Sequence, residues 1–424
     1  MYLYRRIIIL ALLFFVFIMR FSLQPYFHAP STYGFSDFTV FYAASVVVNQ
    51  GENPYTKQPI KKTIRNFRPY DAGWRFFYSP PVAVALIPMS YVPIKIMKFM
   101  WYVISLVALG TVGYLLQQLY APKRAIYAWS VFLILISLYG AIGNNLRLGQ
   151  INVFLLFFLV LHLFMLSKDK KYLAGVFLAA LSIVKIFPFI LIGYYALRGQ
   201  WKVILSSILT TIGLFIGSIA VLGIEVHQTY LKKLSNSAIG GLAANLKEIT
   251  AFDNATVYGG SVRALTFFQS EPVLSAGQEI FVSGVRFGIL GILGMTIAYM
   301  TWNKRNEKPS IIDISLWIGL VLLGLTEIHT QYYVLWIPLF FYVFVYSTFS
   351  SKKFIIVENI IKNKVQVSLF LFAFLLIAFS FMRYLPSIIR RTEVTILPFA
   401  LIGSLIIFGL CIYNTFFNKK NNNI

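Results

Sequence analysis

Asp37 opens the clearest constellation in this 424-residue chain, standing at the head of the stretch Ser36–Asn49 shortly after the first long apolar run, residues 7–23. A carboxylate in that position can act as a general base, taking a proton from a hydroxyl as its oxygen attacks an electrophilic carbon. The same residue also suits a helix start, because Ser and Asp satisfy the free N–H groups of a first turn. Further on, Lys57, Lys61, Lys62, Arg65, Arg68 and Arg75 crowd cations into one short polar stretch. Guanidinium groups grip phosphate oxygens in bidentate fashion, and a solvated loop resting on anionic headgroups would use the same residues.

Lys185 differs from these because it interrupts an apolar run, 172–197, close to Pro188. A charge there is costly and faces either a cavity, a partner or, by snorkelling, an interface. Arg147, Gln150 and Asn152 occupy a polar turn at 144–152, and Glu327 and His329 open a later apolar run. Both groups suit substrate contacts, and both suit ordinary loop and capping duties. Asp253 and Asn254 lie in a long polar segment, where Asn254-Ala255-Thr256 also matches an N-glycosylation acceptor, a pattern with meaning only in a eukaryotic secretory setting.

The chain carries no phosphate-binding loop, no Gly-rich nucleotide fingerprint and no His/Cys cluster at metal-ligand spacing. Neither a metal nor a cofactor is therefore expected. A single cysteine, Cys411, removes an intrachain disulfide framework from consideration. Nucleotide-driven chemistry in a soluble fold fits poorly. A substrate already anchored in the membrane fits better.

The elements that must carry these residues follow from composition. Hydrophobic residues make up 58% of the chain and charged residues 12%, against about 25% charge in soluble domains. Apolar runs at 7–23, 94–118, 125–143, 151–166, 172–184, 186–197, 201–222, 277–302, 311–326, 330–349, 366–385 and 396–417 predict about twelve transmembrane helices. Helices are required because lipid offers the backbone no hydrogen-bond partner. The expected fold class is thus an all-α, polytopic integral membrane protein, one domain over 1–424. Within it, a first long outer loop at 25–79 carries an interfacial helix, and a second lies at 223–276. The run 172–197 is too short for two full crossings and reads as a broken or re-entrant pair.

A net charge of +23 raises the possibility of nucleic acid, but the cations are scattered among short loops rather than gathered on one face, so no nucleic-acid partner is expected. Orientation explains them instead. Arg5/Arg6, Lys123/Arg124, Lys168/Lys170/Lys171, Arg198/Lys202, Lys304/Arg305/Lys308, Lys352/Lys353/Lys362/Lys364 and Lys419/Lys420 all fall on one side if both termini are cytoplasmic. Arg5 and Arg6 resemble the start of a signal peptide, yet no small-x-small site follows before Tyr26, and an uncleaved first helix is expected. In 36–49, the spacing of Phe38, Phe41, Tyr42, Val46 and Val48 before Gly51 predicts an amphipathic helix on the outer interface. The apolar stretch 80–90 is too short to span and is expected at the membrane surface.

Taken in order, several short motifs resemble glycosyltransferase family 87, polytopic enzymes of the GT-C superfamily. They are Ser36-Asp37-Phe38-Thr39-Val40-Phe41-Tyr42-Ala43-Ala44, Gly51-Glu52-Asn53-Pro54-Tyr55, Phe77-Tyr78-Ser79-Pro80-Pro81 with Pro88 and Pro93, Leu148-Gly149-Gln150-Ile151-Asn152 and Lys185-Ile186-Phe187-Pro188. The resemblance covers roughly 30–340. It implies inverting transfer of a sugar, often mannose, from a polyprenyl-phosphate carrier to a lipid or glycan acceptor on the outer face of the plasma membrane. By the same resemblance Asp37 is the catalytic base. Arg68, Arg75, Tyr78, Arg147, Gln150, Asn152 and Lys185 are then expected to contact the donor's phosphate or sugar, with Asn254, Glu327 and His329 as further candidates. Two segments depart from the family pattern: Asn254-Ala255-Thr256 stands where Asn-Gln-Ser is common, and Glu327-Ile328-His329-Thr330-Gln331-Tyr332-Tyr333 where Trp-x-His-His-Tyr is common. The rival readings are a lipid-linked oligosaccharide flippase or transporter and an O-antigen polymerase or ligase. The first favours inverted repeats, which are not found here, and the second lacks a base just after the first helix.

Overall fold

The computed structural model describes residues 36–67, 76–240, 256–266, 274–325, 330–347, 364–378 and 399–417. Among the described residues every regular element is helical. The chain divides into two compact units, one comprising 1–119, 142–189 and 200–241, the other 120–141, 190–199 and 242–424.

The first unit begins with α1 (Ser36–Asn49), α2 (Lys57–Phe67) and α3 (Pro80–Leu86), the last running into a 3₁₀ turn at Ile87–Tyr91. Helix α1 has the expected bounds but a different surface. Phe38, Val40, Phe41, Ala43, Ala44 and Val47 are buried around its whole circumference, because α2, α3 and the 3₁₀ turn all pack on it. The amphipathic element is α2, which buries Ile60, Thr63 and Ile64 at helical spacing and turns Lys57, Lys62 and Arg65 to the exterior. Helix α3 starts from Ser79 with prolines at its first positions, where a missing N–H costs nothing. It too is mostly buried within its unit, and the Ser79 hydroxyl donates to the Ile183 carbonyl at 2.7 Å.

Next come α4 (Ile94–Tyr120), α5 (Ala125–Leu138), α6 (Gly140–Leu148), α7 (Asn152–Ser167) and α8 (Lys171–Val184). The expected break after α8 is present. Pro188 cannot supply an N–H, and its ring would strike the carbonyl of Val184, so the helix stops there and Lys185 is extended. A 3₁₀ turn, Phe187–Phe189, and α9 (Ile190–Leu197) follow, then α10 (Trp201–Leu222) and α11 (Ile224–Gly240). Helix α8 packs on both α7 and α10. A Cβ added to Gly175 would lie 2.4 Å from the Val203 carbonyl oxygen, so glycine is what permits that approach to α10. Buried His162 on α7 is satisfied by the Ala174 carbonyl at 2.8 Å.

The second unit holds α5 and α9 with α12 (Val257–Thr266), α13 (Ala276–Asn303), α14 (Ile311–Gly324), a 3₁₀ turn at Thr330–Trp336, α15 (Ile337–Ser347), α16 (Lys364–Ala378) and α17 (Phe399–Phe417). Aromatic packing supports its core: Tyr139 stacks on Phe374 at 6.0 Å and donates to the Tyr333 carbonyl at 2.8 Å. A buried ionic knot joins α9 to α14. The Asp313 carboxylate lies 3.8 Å from Arg198 Nη1 and 3.6 Å from Lys304 Nζ, and Arg198 also donates to the Glu307 carbonyl.

Among the described residues three helices, α4, α10 and α13, are long and apolar enough to cross a bilayer, and counting α5 with α6 as one bent pair makes four. Others among the expected spans form shorter apolar helices, including Asn152–Ser167, Lys171–Val184 and Ile311–Gly324. At about 1.5 Å per residue such helices fall short of a hydrocarbon core of about 30 Å. The first expected span, 7–23, lies outside the described residues.

Candidate functional site

In the first unit the chemistry gathers around Asp37. The residue sits in the first turn of α1, half-buried, where the helix dipole favours a negative charge. Its Oδ1 accepts from the Ser36 hydroxyl at 3.1 Å, and its Oδ2 accepts from the side-chain amide of Gln150, 113 residues away in the chain.

Local geometry explains how Gln150 gets there. Helix α6 ends on Gly149, whose φ of +66° belongs to the left-handed region that glycine enters without strain. The Gly149 N–H reaches the Leu146 carbonyl at 3.3 Å and the Gln150 N–H the Asn145 carbonyl at 2.9 Å, which together form a Schellman turn. Trp101 on α4 then clamps this turn by donating its indole N–H to the Gly149 carbonyl at 3.0 Å. The same indole packs against Phe38 and Phe41 of α1 at 5.7 Å each, so one side chain ties the two halves of the site together.

Tyr78 forms the other wall. Its hydroxyl donates to Gln150 Oε1 at 3.4 Å, its ring meets Phe41 edge-on at 4.9 Å, and Lys185 Nζ stands over the ring face, 4.3 Å from the centroid. The ammonium of Lys185 and the carboxylate of Asp37 thus flank one polar chain. Asn152, at the start of α7, is fully buried, and neither its Nδ2 nor its Oδ1 has a hydrogen-bond partner among the described residues. Arg147 uses its guanidinium locally, donating to Asn144 Oδ1 at 2.7 Å. Arg68, Arg75, Asn254, Glu327 and His329 lie outside the described residues.

Three side chains support the site in ways the sequence does not announce, two of them, Asn53 and Tyr55, from a motif already noted. Tyr55 donates to the Tyr78 carbonyl at 2.7 Å, and burial beside Tyr230 raises its phenol above the ordinary value, so it remains a donor. Asn53 Nδ2 bonds Thr229 at 3.1 Å while its Oδ1 accepts the Tyr55 N–H at 2.9 Å. Lys233 on α11 spans the carbonyls of Phe76 at 3.3 Å and Tyr55 at 3.5 Å and lies over the Phe77 ring. The Gly-Glu-Asn-Pro-Tyr motif thus braces Tyr78. A lysine and a threonine in a distant polar stretch carry no periodic signal that could announce this.

A sequence model described as glycosyltransferase family 87 matches residues 76–326, more than half of the chain. The chain belongs to glycosyltransferase family 87. The matched span includes Tyr78, Arg147, Gln150, Asn152 and Lys185, and Asp37 lies upstream of it. No curated protein and no solved structure matches the chain. Membership makes this protein a membrane glycosyltransferase, with a sugar donor and an acceptor as its substrates, consistent with the helices able to span a bilayer.

Proposed function

We propose that this family 87 enzyme is a hexosyltransferase that moves a sugar, mannose being favoured, from a polyprenyl-phosphate carrier to a lipid or glycan acceptor at the outer face of the plasma membrane, with inversion. The observation that carries the reading is the convergence of a carboxylate and an ammonium in one unit, Asp37 and Lys185, joined through Gln150 and Tyr78. Outer-face action is supported by the basic loops, whose bias fits cytoplasmic termini and about twelve crossings.

In this mechanism Asp37 takes the proton of the acceptor hydroxyl as the oxygen's lone pair forms a bond to the anomeric carbon. The bond from that carbon to the carrier phosphate breaks on the opposite side, and its electron pair leaves with the phosphate. One displacement inverts the anomeric centre. Lys185, with Arg68 and Arg75, offsets the charge that grows on the departing phosphate. The buried Asn152 amide suits a sugar hydroxyl, since a buried amide left unmet costs about 1–3 kcal/mol.

The test is incubation of the purified protein in liposomes with radiolabelled polyprenyl-phosphate-mannose and a lipid acceptor pool. Label is expected in a new product, and Asp37→Asn is expected to lower turnover by about 10²–10⁴-fold while the protein stays folded. Near-normal turnover by that variant would refute the assignment of the base. Movement of intact donor across the bilayer without transfer would favour a flippase.

A further inference from the structure

A carboxylate accepts hydrogen bonds and donates none, so the amide meeting Asp37 Oδ2 has to present its Nε2–H. That choice turns Gln150 Oε1 toward Tyr78, whose hydroxyl is the donor. Lys185 on the Tyr78 ring face favours the same polarity, because a nearby cation draws electron density from the phenol and strengthens it as a donor. The chain of dipoles therefore runs one way, from ammonium through hydroxyl and amide to carboxylate. Gln150 is itself buried, and its backbone is held by the Gly149 turn and by the hydrogen bond to Asn145. A side chain so engaged has one amide N–H committed to the acid and its carbonyl oxygen committed to Tyr78.

We infer that Gln150 is a positioning residue for Asp37: its amide holds the carboxylate ionised and aimed, and Tyr78 with Lys185 sets which end of the amide faces it. The inference rests on the reading of Asp37 as general base and replaces the expectation that Gln150 contacts the donor. Replacing Gln150 by the isosteric Glu turns a donor into an acceptor and sets a second carboxyl beside the first, so the pair retains a proton to higher pH. Replacing it by Leu removes the donor without adding charge. The other ionisable groups on α1 and on the elements packed on it or carrying Gln150, namely Tyr42, Lys57, Lys61, Lys62, Arg65, Tyr91, Lys95, Lys98, Tyr102 and Arg147, are unchanged in both variants, and their field cancels in the comparison.

The experiment measures kcat and donor KM for the full-length protein in liposomes, with radiolabelled polyprenyl-phosphate-mannose, over about pH 5 to 9. Q150L is expected to lose about 10–100-fold in kcat with donor KM unchanged, as loss of a charge-assisted hydrogen bond implies. Q150E is expected to move the acid limb of the profile upward by about one pH unit or more, Q150L by less. A rise in donor KM with an unmoved pH profile would make Gln150 a substrate contact and overturn the inference. A second measurement does not depend on the donor: infrared titration of the carboxyl band that disappears in D37N. Its midpoint should rise in Q150E, and an unmoved midpoint overturns the inference even if the enzyme uses another sugar. Full turnover by D37N, by contrast, removes the general base while leaving that titration intact.

Discussion

Gly149 is the hinge on which Gln150 is delivered to Asp37, and its replacement separates two costs that the structure allows to be compared. An L-residue forced into the left-handed region pays about 1–2 kcal/mol. Escaping that strain means opening the turn, which forfeits the Gly149 and Gln150 N–H bonds and the Trp101 indole bond, lengths 3.3, 2.9 and 3.0 Å. At about 1 kcal/mol each, opening costs roughly 3 kcal/mol. Alanine should therefore keep the turn and take the strain. Gly149→Ala is expected to lower stability by about 1–2 kcal/mol and leave turnover within a few-fold of the parent. Asn, which tolerates this region, should cost less, and Val, with a β-branched side chain there, should exceed the opening cost and release Gln150. Denaturant unfolding in mixed micelles and sugar-transfer assays on the three variants make the check. Loss of transfer in Gly149→Ala at unchanged stability, or a Gly149→Val protein as stable and active as the parent, would mean that this turn does not deliver Gln150 in the way described.

Two other sites give sharp expectations. In the second unit, Asp313→Ala leaves the fully buried Arg198 guanidinium without its counter-ion and should cost about 3–5 kcal/mol in an unfolding titration, whereas the double change Asp313→Leu with Arg198→Met should recover much of it. A double variant no more stable than the single one contradicts that account. Gly175→Ala pushes a methyl group into the Val203 carbonyl at 2.4 Å, so α8 and α10 have to separate, and an overpacking loss of about 1–3 kcal/mol is expected from thermal unfolding in detergent. An unchanged midpoint would mean that the two helices are not held at this distance.

Helical character was legible from the apolar runs alone, because a bilayer admits few alternatives to a helix, and the bounds of α4, α10 and α13 lie within two residues of those expected. The stop after α8 was legible too, since Pro188 acts on its own carbonyl four residues back. Asp37 at the start of α1 was local information of the same kind. What the sequence could not reveal was the surroundings of α1, a helix whose spacing looked amphipathic and which is covered on every side by α2, α3 and the 3₁₀ turn. Nor could it reveal that, among the described residues, runs such as 151–166, 172–184 and 311–326 form helices shorter than bilayer thickness.

Residue types and local stereochemistry thus determined where helices start and stop and which side chains were able to carry charge or protons. Tertiary packing alone decided that Gln150 meets Asp37, that Lys185 lies over Tyr78, that Lys233 braces the Tyr55 and Phe76 carbonyls, and that Arg198 finds Asp313. Each of these pairs is separated by more than a hundred residues. The geometry that joins them depends on how buried faces close against one another, a property of many side chains at once that no spacing within a single segment encodes.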